Sequence, residues 1–401
     1  MSPVQAKYVL ILPDGAADEP VTELGGRTPL EVARKPHMDW IAANGRQGTV
    51  ATVPEGFDPG SDVATMSILG YDPRRYHTGR APLEAVARRI PLARDELVFR
   101  CNLVTIADGR MIDYAAGHIG QAEAERLICE LNSRFERRGA RFHAGVSYRH
   151  LMVLADAGGQ RPQCTPPHDI PGQSVRPHLP RGRGSRVLRR IMQEAESVLA
   201  RHEINLIRRD LGENPANALW LWGAGRGPRL PRFRDRFRLR GAAVAAVDLI
   251  RGLAICLGWQ VLDVSGATGY LDTDYDAKGR AAVAALEEYD LVVVHVEAPD
   301  EAGHQGDAPA KVRAIERIDA GIVGPVLSKL RSFDRWRIGI APDHPTPVTT
   351  RVHSRIPPPF CMAGTGVPAL GGGPFSEALA AASDLHVEPG HNLMEYFLRI
   401  T

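Results

Sequence analysis

The sequence predicts an α/β protein built on a central, mostly parallel sheet, and three observations carry that prediction. First, Tyr8–Leu12, Leu291–Val296 and Trp336–Ala341 are short unbroken apolar runs, the pattern of strands buried on both faces. Second, each run is followed within a few residues by a carboxylate in a turn, namely Asp14, Asp300 and Asp343. Third, helical patterns such as Val312–Leu330 lie between the runs, and strands alternating with helices make this kind of sheet. Ligands of such sheets bind beyond the carboxyl ends of the strands, so three aspartates far apart in the chain are expected to converge.

The chain has 401 residues, more than one hydrophobic core commonly serves, so two domains are expected. From about Arg88 to Arg240 the elements shorten. Thr165–Ser185, rich in Pro, Gly, Arg and His, reads as a long loop, and Arg186–His202 as an amphipathic helix. Ala218–Gly223, with Trp220 and Trp222, reads as a strand. From Gly241 the pattern returns to helix and then strand, with the strand at Val261–Val264. The expected organisation is a discontinuous first domain, residues 1–84 and 241–401, interrupted by a smaller α/β domain at 85–240. No internal repeat is visible.

Composition narrows the function classes. Apolar residues make up 44% and charged residues 24%, ordinary for a globular protein. With 49 basic and 47 acidic residues the net charge is +2, which argues against a dedicated nucleic-acid binder. Cys101, Cys129, Cys164, Cys256 and Cys361 are odd in number and widely spaced, which fits reduced thiols in a cytoplasmic protein. The opening apolar run is too short for a signal peptide, and the stretch Gly241–Gly258 is broken by Asp248 and Arg251, so no membrane span is expected.

The residues that could carry chemistry follow the strands. Asp343 and His344 stand side by side after one apolar run, with His353 nine residues later. Asp300 and His304 are spaced i, i+4, with Pro299 suited to a helix start, so both would share one helical face. Either pattern alone is commonly a surface ion pair or a cap. Together at successive strand ends they point to bound metal, and carboxylate with imidazole suits Mn, Zn, Co or Fe, with Mg at a more oxygen-rich position.

Ser61 precedes the helical pattern Asp62–Leu69 and follows Gly60. Alone it reads as a helix cap. Beside a metal ion its hydroxyl becomes a nucleophile, and the helix N-terminus suits a phosphate.

These stretches resemble the cofactor-independent phosphoglycerate mutases of the alkaline phosphatase superfamily, in the archaeal-type branch. LPDGAADEPV, PGSDVATMSILGYDPRRYHTGRAPLEA, DYAAGHIG, GATGYLDTDYDAKG, VHVEAPDEAGHQGD and APDHPTPVTTRVHS carry the resemblance, in order, over residues 10 to 354. It implies an alkaline-phosphatase-like core with an inserted cap domain. It also implies two divalent metal ions, manganese first, with Mg, Co or Zn as alternatives. One would be held by Asp14, Ser61, Asp343 and His344, the other by Asp300, His304 and His353. Ser61 would be phosphorylated during turnover, and Lys278 would contact the substrate phosphate. His118 would touch the substrate and move protons, with Arg149, Asp169 and Arg226 as further glycerate contacts. The implied reaction interconverts 3-phosphoglycerate and 2-phosphoglycerate without 2,3-bisphosphoglycerate, the inserted domain acting as a lid against water. A phosphatase or phosphotransferase acting on another small phosphorylated or phosphonate acid stays open, as does a non-catalytic metal-stabilised binding protein. The resemblance leaves oligomeric state open.

The segment Arg226–Arg240 holds seven Arg and one Asp. It reads either as a solvated Arg-biased face or as a wall attracting an anionic substrate.

Overall fold

The computed structural model describes residues 6–155 and 162–399. It divides into two compact units, Met1–His77 with Arg229–Thr401, and Thr78–Pro228.

The first unit is built on an eight-stranded sheet. Its order is His386–Val387, Arg46–Val50, Pro359–Gly364, Trp336–Ile340, Lys7–Pro13, Leu291–Val296, Gly241–Val244 and Gln260–Leu262. Only Pro359–Gly364 runs antiparallel to its neighbours. The three predicted strands lie side by side, with Lys7–Pro13 between the other two, parallel to both. Their near-continuous burial explains why they read as unbroken apolar runs.

Helices cover this sheet. The stretch read as one helix over Val312–Leu330 runs from Ala308 to Leu330, with a π-helical turn at Asp319–Val323. Buried Asp319 accepts the backbone N–H groups of His37 and Met38, at 3.2 and 2.7 Å, at the start of the helix Pro36–Ala43. The sequence expectation of helix after Gly241 gives way to a strand, Gly241–Val244, before the helix Asp248–Cys256. That strand escapes a propensity reading because it is made of small residues. The Trp259 indole lies over Gly241, where a Cβ would come within 2.3 Å of Nε1. The strand expected at Val261–Val264 is the short edge strand Gln260–Leu262.

The second unit is a five-stranded antiparallel sheet centred on Leu97–Ala107. Arg149–Leu154 and Ala218–Gly225 flank it, and Ala140–Val146 pairs with Arg149–Leu154. The alternation of the strands sorts the core. Phe99, Cys101, Leu103, Met152 and Leu154 join one cluster with residues of the helices Gln121–Phe135 and Ser185–Leu199. Val98, Leu151 and Val153 join another with Ala81 and Ala85 of the helix Arg80–Ala87. That helix packs on second-unit strands, so the unit begins at Thr78 rather than near 85. At the other end, Tyr71 donates to the Pro231 carbonyl at 3.0 Å and Phe233 packs on Trp259, which ties the residues from 229 onward to the first unit. Within Thr165–Ser185 the chain forms two short 3-10 turns, Pro167–Asp169 and Arg176–His178.

One buried group gives the second unit a pH dependence. His150 is buried on its strand, and its Nδ1 accepts from the Gly145 N–H at 3.0 Å. Burial, with a smaller push from Arg88, lowers its pKa to about 3. The unfolded chain takes up this proton below about pH 6.5 while the folded chain does not, so stability falls as pH drops from 6.5 towards 3. At pH 5 this group should cost about 2 kcal/mol relative to pH 7. Urea unfolding of the native chain and of His150→Asn at both pH values checks it, and an equal acid loss in the two proteins contradicts it.

Candidate active site

The aspartates at the three strand ends meet at the carboxyl edge of the first unit's sheet. Asp14 is fully buried, and its Oδ2 lies 2.9 Å from Nε2 of His295. Asp343 Oδ1 accepts two backbone N–H groups, from Gly15 at 3.1 Å and His344 at 2.9 Å. The remaining oxygens, Asp14 Oδ1 and Asp343 Oδ2, are buried without a hydrogen-bond partner among the described residues. His344 Nε2 lies 3.6 and 3.4 Å from them, and the Ser61 hydroxyl is 3.3 Å from the same nitrogen. Ser61 opens the helix Ser61–Ile68, one residue earlier than the sequence pattern, and is buried.

Asp300, His304 and His353 form a second group. The helix Ala298–Gln305 puts Asp300 and His304 on one face, with His304 Nε2 3.2 Å from Asp300 Oδ2. His353 Nε2 lies 3.5 Å from Asp300 Oδ1 and 3.0 Å from His304 Nε2. The His344 and His353 rings stand 4.0 Å apart, so the two groups adjoin.

The far nitrogens explain the convergence. His304 Nδ1 is 2.9 Å from the Arg351 carbonyl, and His353 Nδ1 is 3.2 Å from the Pro59 carbonyl. A carbonyl only accepts, so each Nδ1 carries a proton and each Nε2 faces inward, donating to Asp300 while the ring is charged and free to offer a lone pair to a cation once the ring is neutral. Thr346 does the same for His344. Its hydroxyl donates to Asp300 Oδ1 at 2.5 Å, leaving its own lone pairs to accept from His344 Nδ1 at 3.3 Å. Gly15 allows this closeness. At φ +61° it approaches so tightly that a Cβ would sit 2.5 Å from Asp300 Oδ1 and 2.7 Å from Thr346 Oγ1.

Ring nitrogens and carboxylates converge on two points, and buried carboxylates short of partners are unfavourable unless positive charge sits among them. Burial first, then the charges of Asp343, Glu297 and Asp300, push the Asp14 carboxyl well up. Burial also acts upward on Asp300, but hydrogen bonds from His304 and His353 outweigh it and hold the carboxyl well below the usual range. His304 is raised to about 9, its own burial being overcome by Asp300. Both donor sets, Asp14 with Asp343 and His344, and Asp300 with His304 and His353, fit divalent metal ions in chemistry and spacing.

The family model for 2,3-bisphosphoglycerate-independent phosphoglycerate mutase matches residues 42–205. A protein of that name from Methanothrix thermoacetophila is 50% identical over 393 residues, covering 98% of this chain and 99% of the relative. The chain belongs to this family.

It is therefore an enzyme of a phosphoglycerate mutase family, a family of isomerases. A solved protein of Pyrococcus horikoshii superposes with a TM-score of 0.81 at 31% identity, covering 98% of this chain and 97% of that one. A cofactor-independent phosphoglycerate mutase from Thermoplasma acidophilum gives 0.64 at 26% identity, covering 98% and 99%. No helix among the described residues is long and apolar enough to cross a membrane.

The remaining candidates of this mutase-family chain fall in several places. Lys278 is buried in the first unit and donates to the His295 carbonyl at 3.2 Å. Burial lowers its pKa to about 8, against the pull of Glu297. In the second unit, His118, Tyr148, Tyr114, His168 and Trp222 form a row of edge-on rings. The Arg149 guanidinium lies over Tyr148 and that of Arg100 over Trp222. Exposed Asp169 is next to His168 in sequence, with its carboxylate 3.7 Å from that ring. Arg226 instead donates to the Arg94 carbonyl at 3.0 Å.

The Arg-rich segment is partly structural. Arg236 donates to the Gly70 carbonyl and lies over Tyr71 and Phe237, and Arg240 donates to the Glu288 carbonyl. Trp220 and Trp222 are buried, their indole N–H groups donating to the Thr165 carbonyl and to Asn102.

Sequence reasoning missed His295, Glu297, Thr346 and Lys311. His295 had a signal, being the lone polar residue in the apolar strand Leu291–Val296. Lys311 had none. Its fully buried ammonium pairs with Asp18 at 2.7 Å and donates to the carbonyls of Ala17 and Thr346, pinning the loop that carries Asp343 and His344.

Proposed function

We propose that this chain interconverts 3-phosphoglycerate and 2-phosphoglycerate through a phosphoserine on Ser61, with no need for 2,3-bisphosphoglycerate. The observation that carries the reading is the Ser61 hydroxyl, 3.3 Å from His344 Nε2 at the edge of the first convergent donor set. In this reading Asp14, Ser61, Asp343 and His344 hold one divalent ion, and Asp300, His304 and His353 hold the other. Such ions, manganese first with Mg, Co or Zn as alternatives, would neutralise phosphoryl charge and make the serine oxygen a stronger nucleophile.

The chain's own residues supply the rest. Ser61 Oγ gives up its proton and attacks phosphorus, the bond from phosphorus to the glycerate 3-oxygen breaks, and that oxygen takes a proton. The 2-hydroxyl then gives up its proton and attacks the phosphoserine, the bond from phosphorus to Ser61 Oγ breaks, and Oγ takes a proton back as 2-phosphoglycerate forms. Lys278, with its pKa at about 8, remains mostly protonated at neutral pH and can pair with a phosphoryl oxygen. His118 is assigned to moving a proton at the glycerate, with Arg149, Asp169 and Arg226 holding the acid. A catalytic role for the first unit, a substrate role for the second, residues 78–228, and a cytoplasmic setting complete the reading.

Phosphorus NMR of manganese-loaded protein with 3-phosphoglycerate tests it. The expected result is 2-phosphoglycerate without added 2,3-bisphosphoglycerate. Free phosphate would mean that water takes the phosphoryl group, making the chain a phosphatase, and no change would mean that the substrate is a different acid.

A further inference from the structure

Ala116, Gly117 and His118 follow one another in the second unit with φ of +49°, +66° and +51°. Left-handed backbone is unfavourable for residues with a side chain, and successive ones are rarer still. Such conformations persist where the surroundings over-determine them, and they cluster at functional sites.

The surroundings here do over-determine the turn. Asp113 Oδ1 accepts from the Ala115 N–H and Oδ2 from the Gly117 N–H, both at 2.7 Å, while the Asn214 amide donates to Oδ2 at 2.9 Å. Those bonds outweigh burial and hold the Asp113 carboxyl below the usual range. Arg208, almost fully buried, donates from Nη2 to the Ala116 carbonyl at 3.1 Å and from Nε to the Asn214 carbonyl at 3.0 Å. Its Nη1 is held at 2.8 Å by Glu123 and at 3.1 Å by Glu213. Ser147, itself left-handed at φ +51°, donates from Oγ to the Ile119 carbonyl at 2.9 Å.

His118 is exposed, while the backbone that carries it is clasped from three directions. Its ring rests edge-on against Tyr148 at 5.9 Å. It borders a cavity of about 560 Å³ within the second unit, lined also by Arg208, Leu211 and Asn214. A side chain that served only packing would not need an exposed ring on an enforced left-handed turn.

We propose that Asp113 and Arg208 are positioning residues for His118, fixing the left-handed turn so that the imidazole meets the substrate in one orientation. The proposal rests on the reading that His118 contacts the substrate. It goes further in assigning the orientation of that ring to two groups that act through the turn and not through the reaction itself.

A double-mutant cycle tests it. Asp113→Asn keeps the volume but lets only one oxygen accept, so one N–H of the turn is released. Alone it should lower kcat/KM by about ten- to a hundredfold, the usual cost of a small misplacement. Combined with His118→Ala it should lower kcat/KM no further, while its cost in melting temperature appears in both backgrounds. An equal loss of kcat/KM in both backgrounds means that Asp113 acts on the fold alone, and the proposal fails. No loss in His118→Ala means that His118 does not serve the substrate, which defeats the underlying reading and the proposal with it. Ala116→Gly covers the case in which Asp113→Asn does not fold. It removes a steric penalty, so melting temperature should hold or rise while kcat/KM falls, again only when His118 is present. Unchanged kcat/KM in Ala116→Gly overturns the proposal.

Discussion

Ser61→Ala should lower mutase turnover by about four orders of magnitude or more, because no other group can accept the phosphoryl in its place. The loss should fall on kcat and leave metal content near normal. The proposed ligands other than Ser61 are held independently of it: Asp343 by two backbone N–H groups, His304 and His353 by carbonyls, His344 by Thr346. Rapid-quench kinetics, elemental analysis and mass spectrometry of the trapped protein check the three parts. The native chain should gain one phosphate on the peptide containing Ser61 and the variant none. Near-normal rates in the variant would sink the phosphoserine scheme.

Stripping divalent ions with a chelator should bring activity below about 1% of the loaded enzyme, with recovery on adding manganese. The chain should also become less stable, since Asp14 Oδ1 and Asp343 Oδ2 are buried with no hydrogen-bond partner among the described residues. An ion present at a hundred times its dissociation constant contributes about 2.7 kcal/mol to the folded state. A drop in melting temperature of about 5 °C or more is expected on that basis. Full activity after elemental analysis has shown the ions to be gone would rule out the metal reading.

The sequence made the centre of the first unit legible because that part obeys strong rules. Strands buried on both faces, Tyr8–Leu12 and Leu291–Val296, have little freedom in composition. Their carboxylates mark the strand ends, so Asp14, Asp300 and Asp343 could be predicted to meet. Two strands farther from the centre were hidden. Arg46–Val50 is polar, and Gly241–Val244 consists of small residues, with Gly241 lying against the Trp259 indole.

Within the site, the residues that supply metal-type donors carried a signal, and those that orient them did not. Thr346 is one threonine among many until its hydroxyl is seen between Asp300 and His344. The carbonyls of Pro59 and Arg351 have no side-chain signature at all. Lys311 looks like an ordinary helix lysine, because burial against Asp18 is a tertiary fact. The second unit was harder for the same reason. Its left-handed turn depends on Asp113, Arg208 and Asn214, which lie up to 101 residues apart.

The position of the Lys7–Pro13 strand bears on how the protein is made. It is synthesised long before both of its sheet neighbours, Leu291–Val296 and Trp336–Ile340. Residues 78–228 form a continuous stretch of chain and can fold while the ribosome is still at work. The Lys7–Pro13 strand must meanwhile wait for a partner nearly three hundred residues behind it. Ser61 and His344, 283 positions apart, meet only after the whole second unit has been made. A chain released early would carry a finished second unit and no assembled centre.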